Sequence, residues 1–171
     1  PSQILENWVH EKETLEIFAK HYKTGKSLPQ EWISKLKECR KFHTGLGYLR
    51  QLSFGLLDMA YHTREDAAEI EDIINFEQHS TKETRLLPAK ENQAFSTAFG
   101  HIFAGGYSAG YYSYMWASVL EADCFAYFKE QGIFNSQTAE SFKENILSKG
   151  NTDAPENLYM KFSGRMPDNH A

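Results

Sequence analysis

The segment from Phe99 to Ala117, FGHIFAGGYSAGYYSYMWA, differs in composition from the rest of this 171-residue chain. It holds four of the nine tyrosines, and it crosses the glycine pair Gly105-Gly106 shortly after His101. Glycine gives the backbone conformational freedom, whereas tyrosine is a rigid side chain that can donate a hydrogen bond. This combination is more typical of a binding cleft than of a plain hydrophobic core.

On both sides of this segment, apolar residues recur at the spacing of amphipathic helices. Local signals mark where several helices begin: Thr63 before an acidic turn, Asn135 before Ser136, and a capping box at Asp153 with Pro155 in the first turn. No stretch alternates in the manner of a strand, so the sequence predicts an all-α fold. The predicted helices cover residues 2–22, 29–39, 44–61, 63–76, 93–100, 107–131, 135–150 and 153–162.

The composition limits the classes of function. Hydrophobic residues make up 41% and charged residues 24%, which is ordinary for a globular protein, and the length fits one domain over residues 1–171. The net charge of -5 argues against nucleic-acid binding, and no apolar run reaches the roughly 20 residues of a membrane span. Cys39 and Cys124 lack a metal-type spacing, so we expect both to be buried and structural, in a cytoplasmic protein.

A zinc motif is suggested by His10-Glu11-Lys12-Glu13-Thr14 but is incomplete. A metalloprotease helix needs His-Glu-x-x-His, because two histidines four residues apart can reach one metal. Here the fifth residue is a threonine, and the other histidines lie far apart. We therefore interpret this stretch as a solvated helix face and expect no metal site in this chain.

The tyrosines allow two interpretations. On a helix that runs through the segment, Tyr107, Tyr111 and Tyr114 would share one face, and Tyr112 and Trp116 would point to the opposite, core-facing side. A stripe of phenols could donate hydrogen bonds to carbonyl oxygens or to an oxyanion. The alternative is a buried aromatic ladder whose hydroxyl groups are all satisfied within the protein.

Three stretches resemble the thimet oligopeptidase family. Residues 101–116, HIFAGGYSAGYYSYMW, are similar to its tyrosine-rich segment. Residues 1–8, PSQILENW, resemble the segment that follows the family's third zinc ligand, and residues 162–167, FSGRMP, resemble its C-terminal Gly-Arg-x-Pro. The three matches occur in the family's order and span the chain.

The resemblance implies the C-terminal helical part of a zincin-type catalytic domain, in a zinc metallopeptidase that hydrolyses short peptides. In that family the zinc ligands lie before the part matched here, so the metal belongs to the full-length enzyme. We expect no zinc in this chain and no activity from it alone. Its expected partners are short peptide substrates and the N-terminal remainder of the same polypeptide, without nucleic acid or membrane.

The resemblance also implies roles for single residues. Tyr114 would stabilise the oxyanion of the tetrahedral intermediate, with Tyr107 and His101 as further catalytic residues. Tyr111 would hold the peptide. The glycines Gly105 and Gly106 would belong to the substrate-binding part, where they make the preceding loop mobile.

The type of cleavage follows less directly from the resemblance. Ser108-Ala109-Gly110 is similar to the bacterial branch, which favours a peptidyl-dipeptidase, a dipeptidyl carboxypeptidase. Such an enzyme must grip the free carboxylate of its substrate, and Arg165 is the candidate. The alternatives are an oligopeptidase A-like endopeptidase and a non-catalytic helical binding or scaffold module.

Overall fold

The computed structural model of the protein describes residues 2–66, 69–88 and 90–168. Within these ranges the structure is helical, and the extended pairing is limited to an isolated antiparallel bridge between Lys20 and Ser27. The predicted all-α fold is therefore confirmed. The α-helices are α1 (Ser2–Leu5), α2 (Lys12–Phe18), α3 (Gln30–Lys41), α4 (Thr44–His62), α5 (Ile73–Ser80), α6 (Gly100–Phe103), α7 (Ser113–Gln131), α8 (Ser136–Phe142) and α9 (Pro155–Ser163).

Short helical turns complete this framework. There are 3-10 turns at Trp8–His10, Lys82–Thr84 and Ser96–Ala98, and α8 continues as a π-helix over Lys143–Leu147. In the described part of the chain, no helix is both long and apolar enough to cross a bilayer.

The chain divides into two compact units. Residues 43–115 form the second unit, and the residues described before and after them form the first unit. The single domain expected over residues 1–171 stays a prediction, and each unit is described by itself.

The core of the first unit is built around α7. Cys124, Phe125 and Phe128 lie one and three positions apart on this helix, so they share one buried face. Trp8 packs edge-on against both phenylalanine rings, at centroid distances of 4.8 and 5.0 Å, and its indole N–H donates to the carbonyl oxygen of Ile133. Burial of each such aromatic side chain contributes roughly 1.5–3 kcal/mol to the free energy of unfolding.

A buried carboxylate joins the C-terminal residues to this unit. Oδ1 of Asp123 accepts hydrogen bonds from Nη1 of Arg165 at 2.7 Å and from the backbone N–H of Asp168 at 3.1 Å. The Tyr159 hydroxyl group donates to Oδ2. Burial alone would raise the pKa of Asp123, but these three hydrogen bonds outweigh it and lower the pKa. The residues after α9 are thus held by a charged group that is itself inaccessible to solvent.

The single helix predicted over residues 2–22 is wrong. Helix α1 ends at Leu5, and α2 starts only at Lys12, after an extended Glu11. Asn7 accounts for the early end, because its Nδ2 donates to the carbonyl of Ile4, which the next helical turn would need. The Asn7 side chain is held in this place by Nη2 of Arg40, which donates to its Oδ1 at 2.7 Å.

The two long helices α3 and α4 confirm the predictions over 29–39 and 44–61 to within two residues. The helix start predicted at Thr63 is wrong. Thr63 instead follows the end of α4, where its hydroxyl group donates to the carbonyl of Met59. Helix α5 begins after Asp72, whose carboxylate accepts the N–H of Asn75 at 2.9 Å. Ala68, part of the helix predicted over 63–76, lies outside the described residues.

The helix starts near the C-terminus agree only in part with the prediction. Asn135 caps α8 as expected, since its side-chain oxygen accepts two backbone N–H groups of the first turn. The capping box at Asp153 is wrong, because Ala154 occupies the N-cap position, although Pro155 does begin α9. Asp153 accepts instead from Asn157, Lys161 and the N–H of Ala154, and these bonds lower its pKa to about 2.

The two cysteines differ in exposure. Cys124 is buried in the core of the first unit, as expected. The expectation that Cys39 is buried is wrong, because this residue lies on an exposed part of α3.

The core of the second unit is aromatic. Its buried members come from α4, from α6 with the residue before it, and from the tyrosine-rich segment: Leu57, Phe99, Ile102 and Tyr111. Phe54, Tyr61, Phe76, Phe95, Tyr107 and Tyr114 pack around them.

Candidate functional site

The tyrosine-rich segment does not start a helix where the pattern predicts it. Helix α7 begins at Ser113, so the prediction of a helix from Tyr107 is wrong for residues 107–112. These residues form a turn in which the N–H of Gly110 donates to the carbonyl of Tyr107 at 2.9 Å. Ala109 has a φ of 52°, in the left-handed region that interrupts a right-handed helix.

A carboxylate from α4 holds this turn. Oδ1 of Asp58 accepts the backbone N–H of Ala109 at 2.9 Å, and Oδ2 accepts the N–H of Tyr111 at 2.8 Å. The carboxylate is fully buried, so these hydrogen bonds compensate for its loss of water. Nδ1 of His62 lies 2.8 Å from Oδ1 of Asp58 and 2.9 Å from the Asp58 carbonyl oxygen. Both of these oxygens are acceptors, so Nδ1 carries the hydrogen.

The turn brings three phenol rings together, which we call the tyrosine cluster: Tyr107, Tyr111 and Tyr114. The rings of Tyr107 and Tyr114 stack with centroids 5.3 Å apart, and those of Tyr111 and Tyr114 lie 4.9 Å apart. The predicted proximity of these tyrosines is thus found. Its cause is the turn rather than a shared helix face.

The burial of the aromatic residues differs from the helical pattern. Tyr112 and Trp116, predicted to face the core, are 53% and 66% exposed. Tyr111 is only 9% exposed, because the turn directs its ring edge-on against Phe99. Tyr107 and Tyr114 are half-buried. Tyr111 therefore fits the buried-ladder interpretation, whereas the other two members of the cluster can still be reached.

A raised pKa keeps Tyr111 and Tyr114 protonated, and thus able to donate a hydrogen bond, at neutral pH. A hydrogen bond to Tyr107, reinforced by burial and by the neighbouring phenols, raises the pKa of Tyr114 to about 12. Burial also raises the pKa of Tyr111, against the opposing effect of the Arg50 guanidinium. A protonated phenol can stabilise an oxygen atom on which negative charge develops.

His101 lies at the rim of the tyrosine cluster. It belongs to the short helix α6, is exposed, and its ring centroid is 6.1 Å from that of Tyr107 and 6.3 Å from that of Tyr111. The structure therefore places the predicted site residues His101, Tyr107, Tyr111 and Tyr114 in one cluster of the second unit.

The glycine pair after α6 has a steric reason. A Cβ atom at Gly105 would lie 2.8 Å from Cα of His101, which no ordinary contact allows, and Gly106 has a φ of 80°. The backbone thus needs glycine at both positions to turn from α6 toward the tyrosine cluster. The predicted mobility of this loop is not tested by these contacts and stays a prediction.

Comparisons with known proteins identify the family of this chain. The sequence matches Peptidase family M3 over residues 1–171. The chain belongs to peptidase family M3. This confirms the resemblance to the thimet oligopeptidase family.

Relatives within peptidase family M3 align along almost the entire chain. Oligopeptidase A of Escherichia coli is 44% identical over 167 residues, which cover 98% of this chain and 25% of the relative. Organellar oligopeptidase A of Arabidopsis thaliana is 41% identical over 98% of this chain and 22% of its own length. Dipeptidyl carboxypeptidase of Escherichia coli is 37% identical, over 98% and 25%. The chain therefore spans about a quarter of the length of these relatives.

Metal ligands, unlike the tyrosines, are not brought together among the described residues. In the part of the chain that the structure describes, no group of three or more histidine, cysteine, aspartate or glutamate side chains could hold a metal ion. The described residues therefore do not fit a zinc site, and what they assemble is a set of phenol donors.

Two residues of the site were not identified from the sequence: Asp58 and His62. A signal was present, because Asp58 interrupts the apolar run from Leu56 to Ala60, where a charged residue has to be buried. His62 follows four residues later, on the same helix face.

Arg165, the suggested grip for a substrate carboxylate, has hydrogen-bond partners within the protein. Its Nη1 donates to the buried Asp123 at 2.7 Å and to the Met166 carbonyl at 3.1 Å. It therefore acts within the first unit as the cation that compensates Asp123, which argues against a grip on a substrate carboxylate.

Proposed function

We propose that this chain is the substrate-binding part of a zinc metallopeptidase that hydrolyses short peptides. The observation that carries the proposal is the tyrosine cluster, in which the half-exposed Tyr114 lies against the rings of Tyr107 and Tyr111 and has its pKa raised by the hydrogen bond to Tyr107. Membership of peptidase family M3 supports hydrolysis of a peptide bond as the reaction.

The chemistry of peptide hydrolysis explains the value of such a donor. Attack of water on the carbonyl carbon moves negative charge onto the carbonyl oxygen, and a fixed O–H group lowers the energy of that charge. We assign this task to Tyr114. Tyr114 is hydrogen-bonded to Tyr107, and in this proposal a substrate oxygen takes the place of Tyr107 as its partner.

The remaining predicted residues have supporting roles in this proposal. We assign contact with the peptide or the intermediate to Tyr107 and His101, whose ring centroids lie 6.1 Å apart, and the buried Tyr111 packs against the Tyr114 ring. Gly105 and Gly106 shape the loop between His101 and the cluster.

Zinc, in this proposal, belongs to the remainder of the polypeptide, where it would activate the attacking water. The relatives are about four times as long as this chain, which supports an N-terminal remainder as its partner. We propose residues 1–171 as a single helical part of that larger catalytic domain. Alone, the chain should bind no stoichiometric zinc and cleave no peptide, which metal analysis and a peptide assay would check.

A second candidate concerns where the peptide is cut. The identity of 44% to an oligopeptidase A, against 37% to a dipeptidyl carboxypeptidase, favours the endopeptidase alternative. The bond from Arg165 to Asp123 also argues against Arg165 as the grip for a free carboxylate. The peptidyl-dipeptidase expected from the sequence stays a prediction, as does the cytoplasmic location.

The test uses Tyr114→Phe in the full-length enzyme. Loss of the donor should lower kcat for a short fluorogenic peptide by about 10²–10³-fold with a smaller change in KM. Tyr112→Phe is the matched control, because Tyr112 is exposed and outside the tyrosine cluster. An unchanged kcat for Tyr114→Phe would contradict the proposal and favour a non-catalytic helical module.

The same assay distinguishes the two cleavage types. A peptide with an amidated C-terminus lacks the free carboxylate that dipeptide release requires. Equal cleavage of the amidated and free peptides indicates an endopeptidase, whereas loss of cleavage of the amidated peptide indicates a dipeptidyl carboxypeptidase.

A further inference from the structure

Asp58 is a fully buried carboxylate in the last third of α4. Burial of a carboxylate is costly unless its oxygens are hydrogen-bonded, so its partners indicate why it is there. Apart from His62, the hydrogen bonds to its side chain come from a different part of the chain, the N–H groups of Ala109 and Tyr111. Asp58 therefore connects α4 to the turn that carries the tyrosine cluster.

The two bonds from Asp58 determine the conformation of that turn. In a helix starting at Tyr107, the N–H of Tyr111 would donate to the carbonyl of Tyr107, four residues earlier. Asp58 takes this N–H at 2.8 Å, and the N–H of Ala109 at 2.9 Å. Ala109 has a φ of 52°, a conformation that a residue with a Cβ keeps only when its surroundings hold it there.

Without this constraint the tyrosine rings would be arranged differently. A helix over residues 107–114 would place Tyr111 on the same exposed face as Tyr107, instead of against Phe99. The stacking of Tyr107 on Tyr114 depends on the turn, because Tyr107 is its first residue and Tyr114 follows its end.

We propose that Asp58 is a positioning residue, whose carboxylate holds the turn at residues 107–112 so that Tyr107 and Tyr114 lie beside each other. The proposal rests on the proposed function, in which these two phenols contact the substrate. Asp58 itself is buried beneath the turn and touches no substrate.

His62 has an auxiliary part in this arrangement. Its Nδ1–H donates to Oδ1 of Asp58 at 2.8 Å. This bond helps to keep the carboxylate oriented toward the N–H groups of the turn. The ring is half-buried and lies 5.8 Å from that of Phe103 in α6. His62 is thereby fixed from a second side.

The test is Asp58→Asn in the full-length enzyme. The asparagine has the same shape, but its NH₂ group would face one of the two backbone N–H groups, so one bond is lost. We expect kcat to fall by about 10–100-fold, as small misplacements of catalytic groups do, with KM changing less than about threefold. Amide hydrogen exchange at Ala109 and Tyr111 should become faster in the same variant.

Glu77→Gln is the matched control. Glu77 is also a buried carboxylate of the second unit, and it accepts the backbone N–H groups of Phe95 at 2.7 Å and Ser96 at 2.8 Å. This variant should lose a similar amount of thermal stability while kcat stays within about threefold of the wild type. An equal fall in kcat for both variants would overturn the proposal, because it would assign the effect to loss of stability.

A double variant separates this proposal from the proposed function. If Asp58 acts through the tyrosines, Asp58→Asn should lower kcat by less than about threefold in a Tyr114→Phe background. A full additional loss there would overturn the positioning role. Failure of Tyr114→Phe alone to lower kcat would refute the proposed function instead, and the amide exchange would still report whether Asp58 holds the turn.

His62→Gln covers the case in which Asp58→Asn does not fold. It removes the third hydrogen bond to the Asp58 carboxylate, which helps to orient Oδ1 and Oδ2 toward the N–H groups of Ala109 and Tyr111, and so weakens their hold on the turn. We expect a two- to fivefold fall in kcat together with faster exchange at Ala109 and Tyr111. Wild-type values of both quantities in His62→Gln would overturn the proposal.

Discussion

The hydroxyl group of Tyr114 is hydrogen-bonded to Tyr107, and this bond is the largest contribution to a Tyr114 pKa of about 12. This hydrogen bond favours the protonated form of Tyr114. The two rings also stack, with centroids 5.3 Å apart. The phenol that would stabilise an oxyanion is thus held protonated by its neighbour.

The first prediction concerns the titration of Tyr114. Tyr107→Phe removes this hydrogen-bond partner and should lower the pKa of Tyr114 from about 12 toward the ordinary value of about 10. Absorbance at 295 nm measures tyrosinate formation, and the difference between each protein and its Tyr114→Phe derivative isolates this residue. Tyr112→Phe is the control and should leave the value unchanged. A pKa that stays near 12 in Tyr107→Phe would show that burial, rather than the bond, holds the proton.

The same shift has a consequence for stability. The pKa of Tyr114 is raised in the folded protein, so between about pH 10 and 12 the folded state binds more protons than the unfolded state. The stabilisation is therefore complete below about pH 10 and is lost as the pH rises through about 12. Denaturant unfolding at pH 9 and pH 11 should show a smaller loss of stability for Tyr114→Phe than for the wild type. Identical losses would contradict this linkage.

The second prediction concerns the glycine pair. Gly105→Ala puts a Cβ atom 2.8 Å from Cα and 2.9 Å from the carbonyl oxygen of His101, so the backbone has to shift. We expect a loss of about 1–3 kcal/mol in the free energy of unfolding, measured with denaturant.

Gly100→Ala provides the control for this substitution. Gly100 is the first residue of α6, and a Cβ atom there meets nothing within 4 Å. Alanine should be neutral or stabilise by up to about 1 kcal/mol, since it favours the helix. Equal effects of the two substitutions would refute the steric explanation of Gly105.

The sequence signals that proved reliable are local. Helix α4 follows from apolar periodicity, and the start of α8 follows from Asn135, whose side chain bonds to residues two and three positions later. Two of the predictions that failed depend on distant partners. The turn at residues 107–112 is set by Asp58, 51 residues before Ala109, and the end of α1 involves Arg40, 33 residues after Asn7.

The candidate site shows the same difference between local signals and interactions with distant residues. Composition and the family resemblance pointed to His101 and the three tyrosines, and the structure brings their rings within 6.3 Å of a neighbour in one cluster. The helical wheel gave the wrong burial for Tyr111, Tyr112 and Trp116. A wheel cannot include a hydrogen bond from another helix, and such a bond determines which rings are buried here.

The third prediction compares the two cysteines. Cys124 is buried, and burial together with the charge of Asp123 raises its pKa to about 12, whereas Cys39 is exposed. Since the thiolate is the reactive form, iodoacetamide at pH 8 should modify Cys39 at least about 100-fold faster. Peptide mass spectrometry would measure both rates, and unfolding in guanidinium should make them similar. Comparable rates in the native protein would show that the first unit opens readily around α7.

The fourth prediction separates a buried ion pair from an exposed one. Arg165 and Arg64 are matched, since each approaches a carboxylate to 2.7 Å and their side chains are 38% and 39% exposed, but Asp123 is fully buried whereas Asp66 is 52% exposed. Arg165→Met leaves a buried charge without its cation and should lower the free energy of unfolding by about 3 kcal/mol. Arg64→Met should cost less than about 1 kcal/mol, because an exposed pair gains little over its hydration. Denaturant unfolding of both variants at pH 7 gives the comparison. The opposite result would be that Arg165→Met leaves stability intact and abolishes cleavage of peptides with a free C-terminus. Arg165 would then be a substrate ligand, and its bond to Asp123 would not explain why this position is an arginine.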